Sequence, residues 1–154
     1  MAPAEYPLLE TFLYEAIHLP PGAQPPPREV LYAPGIYAYI DRFGSKPEDF
    51  CLVAGADGQV VGAAWVRVAR SFGYVDDETP ELAVSVLPGW RGQGVGTALL
   101  KRLLEELARR GVRQTSLSVQ KTNPAARLYR RLGYEVIRAN EGGYIMLRRL
   151  SETE

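Results

Sequence analysis

Between an alternating apolar run, residues 81–88 (ELAVSVLP), and a leucine-rich segment lies a turn with glycine at every second position: Arg91-Gly92-Gln93-Gly94-Val95-Gly96-Thr97. The run before it has the period of a strand and stops at Pro88, which cannot donate to a sheet ladder. After it, Leu99, Leu100, Leu103, Leu104 and Leu107 fall on one face of a helix. Gly111, behind Arg109 and Arg110, closes that helix. A strand, a glycine turn and a helix in succession bring the first N–H groups of the helix, which have no intrahelical partner, to the mouth of a sheet. Glycines there leave no Cβ to keep an anion away. The construction suits a phosphate or pyrophosphate; on its own it is equally a tight connection.

The rest of the chain fits around this unit. Leu9, Phe12, Leu13, Ala16 and Ile17 mark an opening amphipathic helix. The proline-rich stretch 19–27 (LPPGAQPPP) reads as a stiff extended loop and a candidate wall or lid of a pocket. Pro34 begins a second helix, with Ile36, Tyr37, Ile40 and Phe43 on one face. FCLVAG and QVVGAAWVRVAR flank Asp57-Gly58 and predict a hairpin. TSLSV is a short strand. Asn123-Pro124 caps a helix whose stripe is Ala125, Leu128, Tyr129 and Leu132, ended by Gly133. Residues 134–138 and 144–149 form the last strands. The order is ααβββαβαββ, an α/β chain (α+β by some definitions) with a mixed sheet and helices on both faces.

Length and composition bound the function. The 154 residues, 46% hydrophobic and 23% charged, predict one soluble domain over 1–154. One cysteine and one histidine exclude a disulfide framework and any metal site built on several of either. No apolar run is long enough for a membrane helix, and nothing at the start reads as an export signal, so a cytoplasmic protein is expected. The zero net charge averages two halves: residues 1–85 hold twelve acids and five bases, residues 86–154 six acids and thirteen bases. That asymmetry is compatible with an anionic ligand on one side and a cationic acceptor on the other. No basic footprint of a nucleic-acid binder is present. Cys51 falls in a predicted buried strand and is expected to be inert; His18 reads as a helix C-terminal cation.

Two familiar anion motifs are absent. A nucleotidase-type phosphate loop needs lysine directly after its last glycine, and Lys101 is misplaced for that. A dinucleotide fingerprint starting at Gly92 or Gly94 would need glycine where Thr97 or Leu99 stands.

Residues 81–134 instead resemble the core of the GNAT superfamily of N-acetyltransferases. That family's phosphate loop, Q/R-x-x-G-x-G/A, is matched by Arg91, Gly94 and Gly96. Its preceding strand end, V-x-P, is matched by Val86 and Pro88. Its later block, Asn followed by Leu-Tyr-x-x-Leu-Gly-Phe/Tyr, is matched by Asn123, Leu128, Tyr129, Leu132, Gly133 and Tyr134. The resemblance implies a mostly antiparallel sheet of six to seven strands and acetyl-CoA as co-substrate, with no metal. It implies that the pantetheine arm lies along Val84, Ser85 and Val86, and that the pyrophosphate sits on Arg91, Gly92, Gln93, Gly94, Val95, Gly96 and Thr97. Asn123 is similar to the residue that contacts the cofactor arm, although this sequence has one step fewer from that Asn to Tyr129 than many members. Tyr129 stands where the family places the general acid for the leaving thiolate.

The general base is less determined. Glu81 begins the strand and alternates onto one face with Ala83 and Ser85; Asp76, Asp77 and Glu78, or water, are the alternates. Some members carry a glutamate where this chain has Ser118. The expected acceptor is a primary amine of a small molecule or peptide. A homodimer is left open. The competing reading is a non-catalytic acyl-CoA-binding module on the same fold, which would have no use for a proton donor at Tyr129.

Overall fold

The computed structural model describes residues 3–17 and 22–150. His18 and residues 19–21 of the proline-rich stretch lie outside them. Four α-helices are described: α1 (Leu8–Ala16), α2 (Pro34–Tyr37), α3 (Val95–Arg109) and α4 (Ala125–Arg131). Six strands are described: β1 (Phe50–Ala56), β2 (Gln59–Arg67), β3 (Glu81–Val86), β4 (Gln114–Gln120), β5 (Glu135–Ala139) and β6 (Gly143–Arg149). They form one sheet in the order β1-β2-β3-β4-β6-β5. All pairs are antiparallel except β3 with β4. No helix among the described residues is long and apolar enough to cross a membrane.

The hairpin expected at Asp57-Gly58 forms because both residues take positive φ, 52° and 77°, as a two-residue turn of matching twist requires. β2 then runs through the middle of the molecule. Its side chains alternate between two cores. Ala64 and Val66 pack under α3 with Leu82, Leu100, Leu103, Leu117 and Met146, while Ala63 and Trp65 pack under α1 with Leu9, Phe12, Leu31 and Ile40. Each fully buried leucine contributes ~1.5–3 kcal/mol, so α3, which buries five of its leucines, is anchored almost wholly by its apolar face.

The second helix is shorter than its apolar periodicity predicts. It ends at Tyr37, and Ile40 and Phe43 become buried from successive turns that follow it. Aromatic and β-branched residues have weak helix propensity, and tertiary bonds capture the backbone instead. The Trp65 indole donates to the Tyr39 carbonyl at 3.1 Å. The Arg67 guanidinium donates to the Ala38 and Asp41 carbonyls and forms a buried two-pronged pair with Asp49. This segment is thereby clamped onto β2.

Candidate active site

The parallel pair β3–β4 is joined at a single register position, Glu81 opposite Ser116. Beyond it the two strands diverge. The Leu87 amide bonds back to Val61 at 2.9 Å, so alternation turns the backbone groups of Val84 and Val86 the other way, toward the gap. The result is a sheet edge opened inside the sheet. A cleft of about 880 Å³ follows it, lined by Val84, Ser85 and Val86 on one side and by Asn123, Leu128 and Tyr129 on the other. The described part of the proline-rich loop supplies a further wall through Pro25 and Pro26, held by a hydrogen bond from the Tyr14 hydroxyl to the Pro26 carbonyl.

The glycine turn closes one end of this cleft. Gly94 sits at the N-cap of α3 with φ of 83°, in the left-handed region that favours glycine. Among the described residues, the amides from Gly92 to Thr97 take no backbone hydrogen bond. Free amides and a helix N-terminus favour an anion, and the unpaired strand edge favours an extended chain bearing amides of its own. An acyl-CoA, with its amide-containing arm and diphosphate, has this sequence of groups.

A second cavity, of about 210 Å³, meets the first where Val84, Asn123 and Tyr129 line both. Tyr129 is half-buried, and burial pushes its phenol up to about 12. Its ring stands edge-on to Tyr134 at 6.0 Å, but its hydroxyl has no hydrogen bond from the described protein. Tyr134 differs, because its hydroxyl shares a 2.6 Å bond with Thr115.

Glu81 is 2% exposed and does not line either cavity. Its carboxylate accepts from the Tyr39 hydroxyl, the Ser71 hydroxyl and the Gly73 amide. The last approach requires glycine, since a Cβ on residue 73 would lie 2.6 Å from Glu81 Oε2. Burial nevertheless outweighs the three donors and raises the carboxyl from 4.5 to about 7. Tyr39, whose phenol is held well above its usual range by burial and by Glu81, does line the smaller cavity. Tyr39 thus links that cavity's lining to a carboxylate that does not line it.

A family model described as the acetyltransferase (GNAT) family matches residues 13–134. The chain belongs to that family. Mycothiol acetyltransferase of Thermobifida fusca is 36% identical over 95 residues, covering 58% of this chain and 29% of that enzyme. The chain spans about a third of the length of the curated relatives it matches first. Among solved structures, the ribosomal-protein-S18-alanine N-acetyltransferase of Escherichia coli superposes with a TM-score of 0.68 at 21% identity, covering 100% of this chain and 93% of that one. YncA of Salmonella typhimurium, solved with its cofactor acetyl-CoA, gives 0.68 at 24% identity with the same two coverages. At such identities the likeness is one of fold: a mixed, mostly antiparallel GNAT sheet with helices.

Within this GNAT fold the sequence-derived residues separate into groups. Val84, Ser85, Val86, Gly92, Gly94, Val95, Gly96, Thr97, Asn123 and Tyr129 all line the larger cleft. Gln93 does not; its side chain is exposed and reaches back to the Gly89 carbonyl at 3.4 Å. Arg91 lines the cleft, but its guanidinium bonds Val86 O at 2.9 Å and pairs with Glu15 at 2.9 Å, tying the end of α1 to β3. Ser85 donates to the Phe12 carbonyl at 2.6 Å. Asn123 accepts from the Ala125 amide at 2.9 Å, which leaves its NH₂ group for the cleft.

Asp76 and Asp77 are occupied within their own exposed turn, with Thr79 and Tyr74. Neither they nor Glu78 reaches a cavity. Cys51 is buried and its thiol is raised to about 12, as expected of an inert one. Sequence reasoning missed Tyr39, which bonds a residue 42 positions away and carries no motif.

Proposed function

We propose that this protein is an acetyl-CoA-dependent N-acetyltransferase that acts on a primary amine of a small molecule or peptide by direct attack on the thioester. The observation that carries the reading is Tyr129: a hydroxyl with no partner among the described residues, at the junction of a cleft suited to the cofactor and a smaller cavity beside it. Family membership and the retained proton donor support it over a binding module.

Acetyl-CoA supplies an acetyl group activated as a thioester. Val84 pairs the extended arm through its gap-facing backbone groups, while the Val86 carbonyl stays with Arg91, and the amides from Gly92 to Thr97 hold the diphosphate. The Val86 N–H is the donor for the negative charge that develops on the thioester oxygen. The attacking amine must be neutral. Its proton passes to the Tyr39 oxygen as the Tyr39 proton passes to Glu81, so the buried carboxylate acts as base through the phenol. A carboxyl raised to about 7 is matched to that task near neutral pH. As the new C–N bond forms and the C–S bond breaks, Tyr129 gives its proton to the departing sulfur. Its own elevated pKa keeps the phenol protonated until a thiolate appears in the same buried space. The lone cysteine, buried in β1, agrees with a reducing compartment, and we place the reaction in the cytoplasm.

The test is an acceptor screen with acetyl-CoA, following thiol release and identifying N-acetylated product. Cofactor binding with only background hydrolysis across amines and peptides would support the binding module instead.

A further inference from the structure

The smaller cavity is lined by aliphatic and aromatic groups, chiefly Leu13, Ile17, Ile36 and Phe72, with polar atoms from Tyr39, Ser118, Gln120, Asn123 and Tyr129. No carboxylate or cationic side chain is among its described lining residues. The acidic half of the chain is compatible with a cationic acceptor, but five of its carboxylates are engaged elsewhere. Asp49 holds Arg67, Glu15 holds Arg91, Glu10 accepts from Tyr32, and Asp76 and Asp77 stay within their turn. Residues 18–21, His-Leu-Pro-Pro, contain no carboxylate to add.

Among the described residues the anionic partner nearest this cavity is Glu81, bonded to the lining residue Tyr39, and it is matched to the reacting nitrogen. A second positive charge on the acceptor would lose its water and gain no counter-ion among the described lining residues. The rim is apolar as well: Phe72 is 59% exposed beside Tyr39, with ring centroids 6.5 Å apart. At about 210 Å³ the cavity is about a quarter of the size of the cleft beside it and suits a small body.

We infer that the acceptor is a primary monoamine on a short, uncharged, apolar body, seated between Ile17, Ile36 and Phe72 with its nitrogen at the Tyr39 hydroxyl. This rests on the reading of the neighbouring cleft as the acetyl-CoA site. The same chemistry is offered by a free alkylamine and by a polypeptide N-terminus whose first residue is apolar.

The experiment compares hexylamine with pentane-1,5-diamine, which differs in replacing the far methyl group by an ammonium. The full chain is used with saturating acetyl-CoA, and cofactor binding is verified separately by thermal shift. The expected result is a kcat/KM higher for hexylamine by ~10²-fold or more. Phe72→Asp, which places a carboxylate at an already exposed rim position, should narrow that gap. A peptide beginning with leucine, set against the same peptide beginning with lysine, separates the two sources. Acetylation of the leucine peptide at the hexylamine rate assigns a polypeptide N-terminus, and a far slower rate assigns a free monoamine. Equal use of the two amines, preference for the diamine, or acetylation confined to charged acceptors would overturn the inference while leaving acetyl transfer intact. If acetyl-CoA binds and no amine is acetylated, the transferase reading fails and this inference fails with it.

Discussion

The Tyr39 hydroxyl donates to the carboxylate of Glu81, so a residue that lines the smaller cavity is wired to a carboxylate that does not. Tyr39 is fixed in that role by its backbone. Its carbonyl is held by Trp65, and the carbonyls of Ala38 and Asp41 on either side are held by Arg67. The central strand thus sets the position of the Tyr39 hydroxyl on a segment that is barely helical.

Tyr39→Phe keeps the ring and removes the link. Turnover should fall by ~10-fold or more. The acid limb of the kcat/KM profile set by Glu81 should also flatten, because without the phenol the carboxylate has no route to the amine. A profile unchanged in both height and shape would remove Tyr39 from the proton path.

Glu81→Gln should lower the rate by ~10²-fold and abolish the limb centred near the carboxyl's value of about 7. Stability gives a second readout. The folded carboxyl, at about 7 against 4.5 in an unfolded chain, binds its proton more tightly than the unfolded one. Its contribution is therefore fully present below about 4.5 and is lost as pH rises through about 7. Denaturant titrations should show that slope in the native protein and a shallower one in the Gln variant.

Tyr129→Phe and Tyr134→Phe should separate chemistry from packing. The Tyr129 hydroxyl bonds nothing in the described protein, so its removal should leave the melting temperature nearly unchanged and reduce single-turnover acetyl transfer by ~10²-fold or more. Tyr134 bonds Thr115 in the core. Removing that hydroxyl leaves a buried partner unsatisfied and should cost ~1–3 kcal/mol of stability with transfer retained. The reverse pattern would make Tyr129 the packing residue.

Gly94→Val tests the anion end. At φ of 83° a side chain costs ~1–2 kcal/mol of backbone strain, while a Cβ there meets no protein atom within 4 Å. The fold should survive, weakened by that amount. Cofactor affinity should drop sharply, because the side chain obstructs the amides. Unchanged affinity in the folded variant would place the diphosphate elsewhere.

Much of this was legible from local pattern. The alternation of residues 81–88, the glycine spacing and the leucine stripe specify β3, the turn and α3 without reference to the rest of the chain. Tyr129 is legible as a candidate because it lies on the same short helix as the rest of its motif. What escaped depends on contacts distant in sequence. The apolar period from Ile36 to Phe43 fits a helix, but side chains of Trp65 and Arg67 take the carbonyls that a helix would use. The pairing of Arg91 with Glu15, 76 positions earlier, is likewise absent from any local spacing. The wiring of Glu81 to Tyr39 requires the turn after α2 and the loop around Gly73 to converge on one strand end, which no spacing encodes.

The most direct test of the central claim is amine-dependent release of CoA thiol from acetyl-CoA by the wild-type protein, with the product identified by mass in the same reaction. The account predicts thiol and N-acetylated amine in equal amounts, with release saturating in both substrates. Thiol release that does not depend on amine, or tight acetyl-CoA binding with no acetylated product from any acceptor, would contradict it.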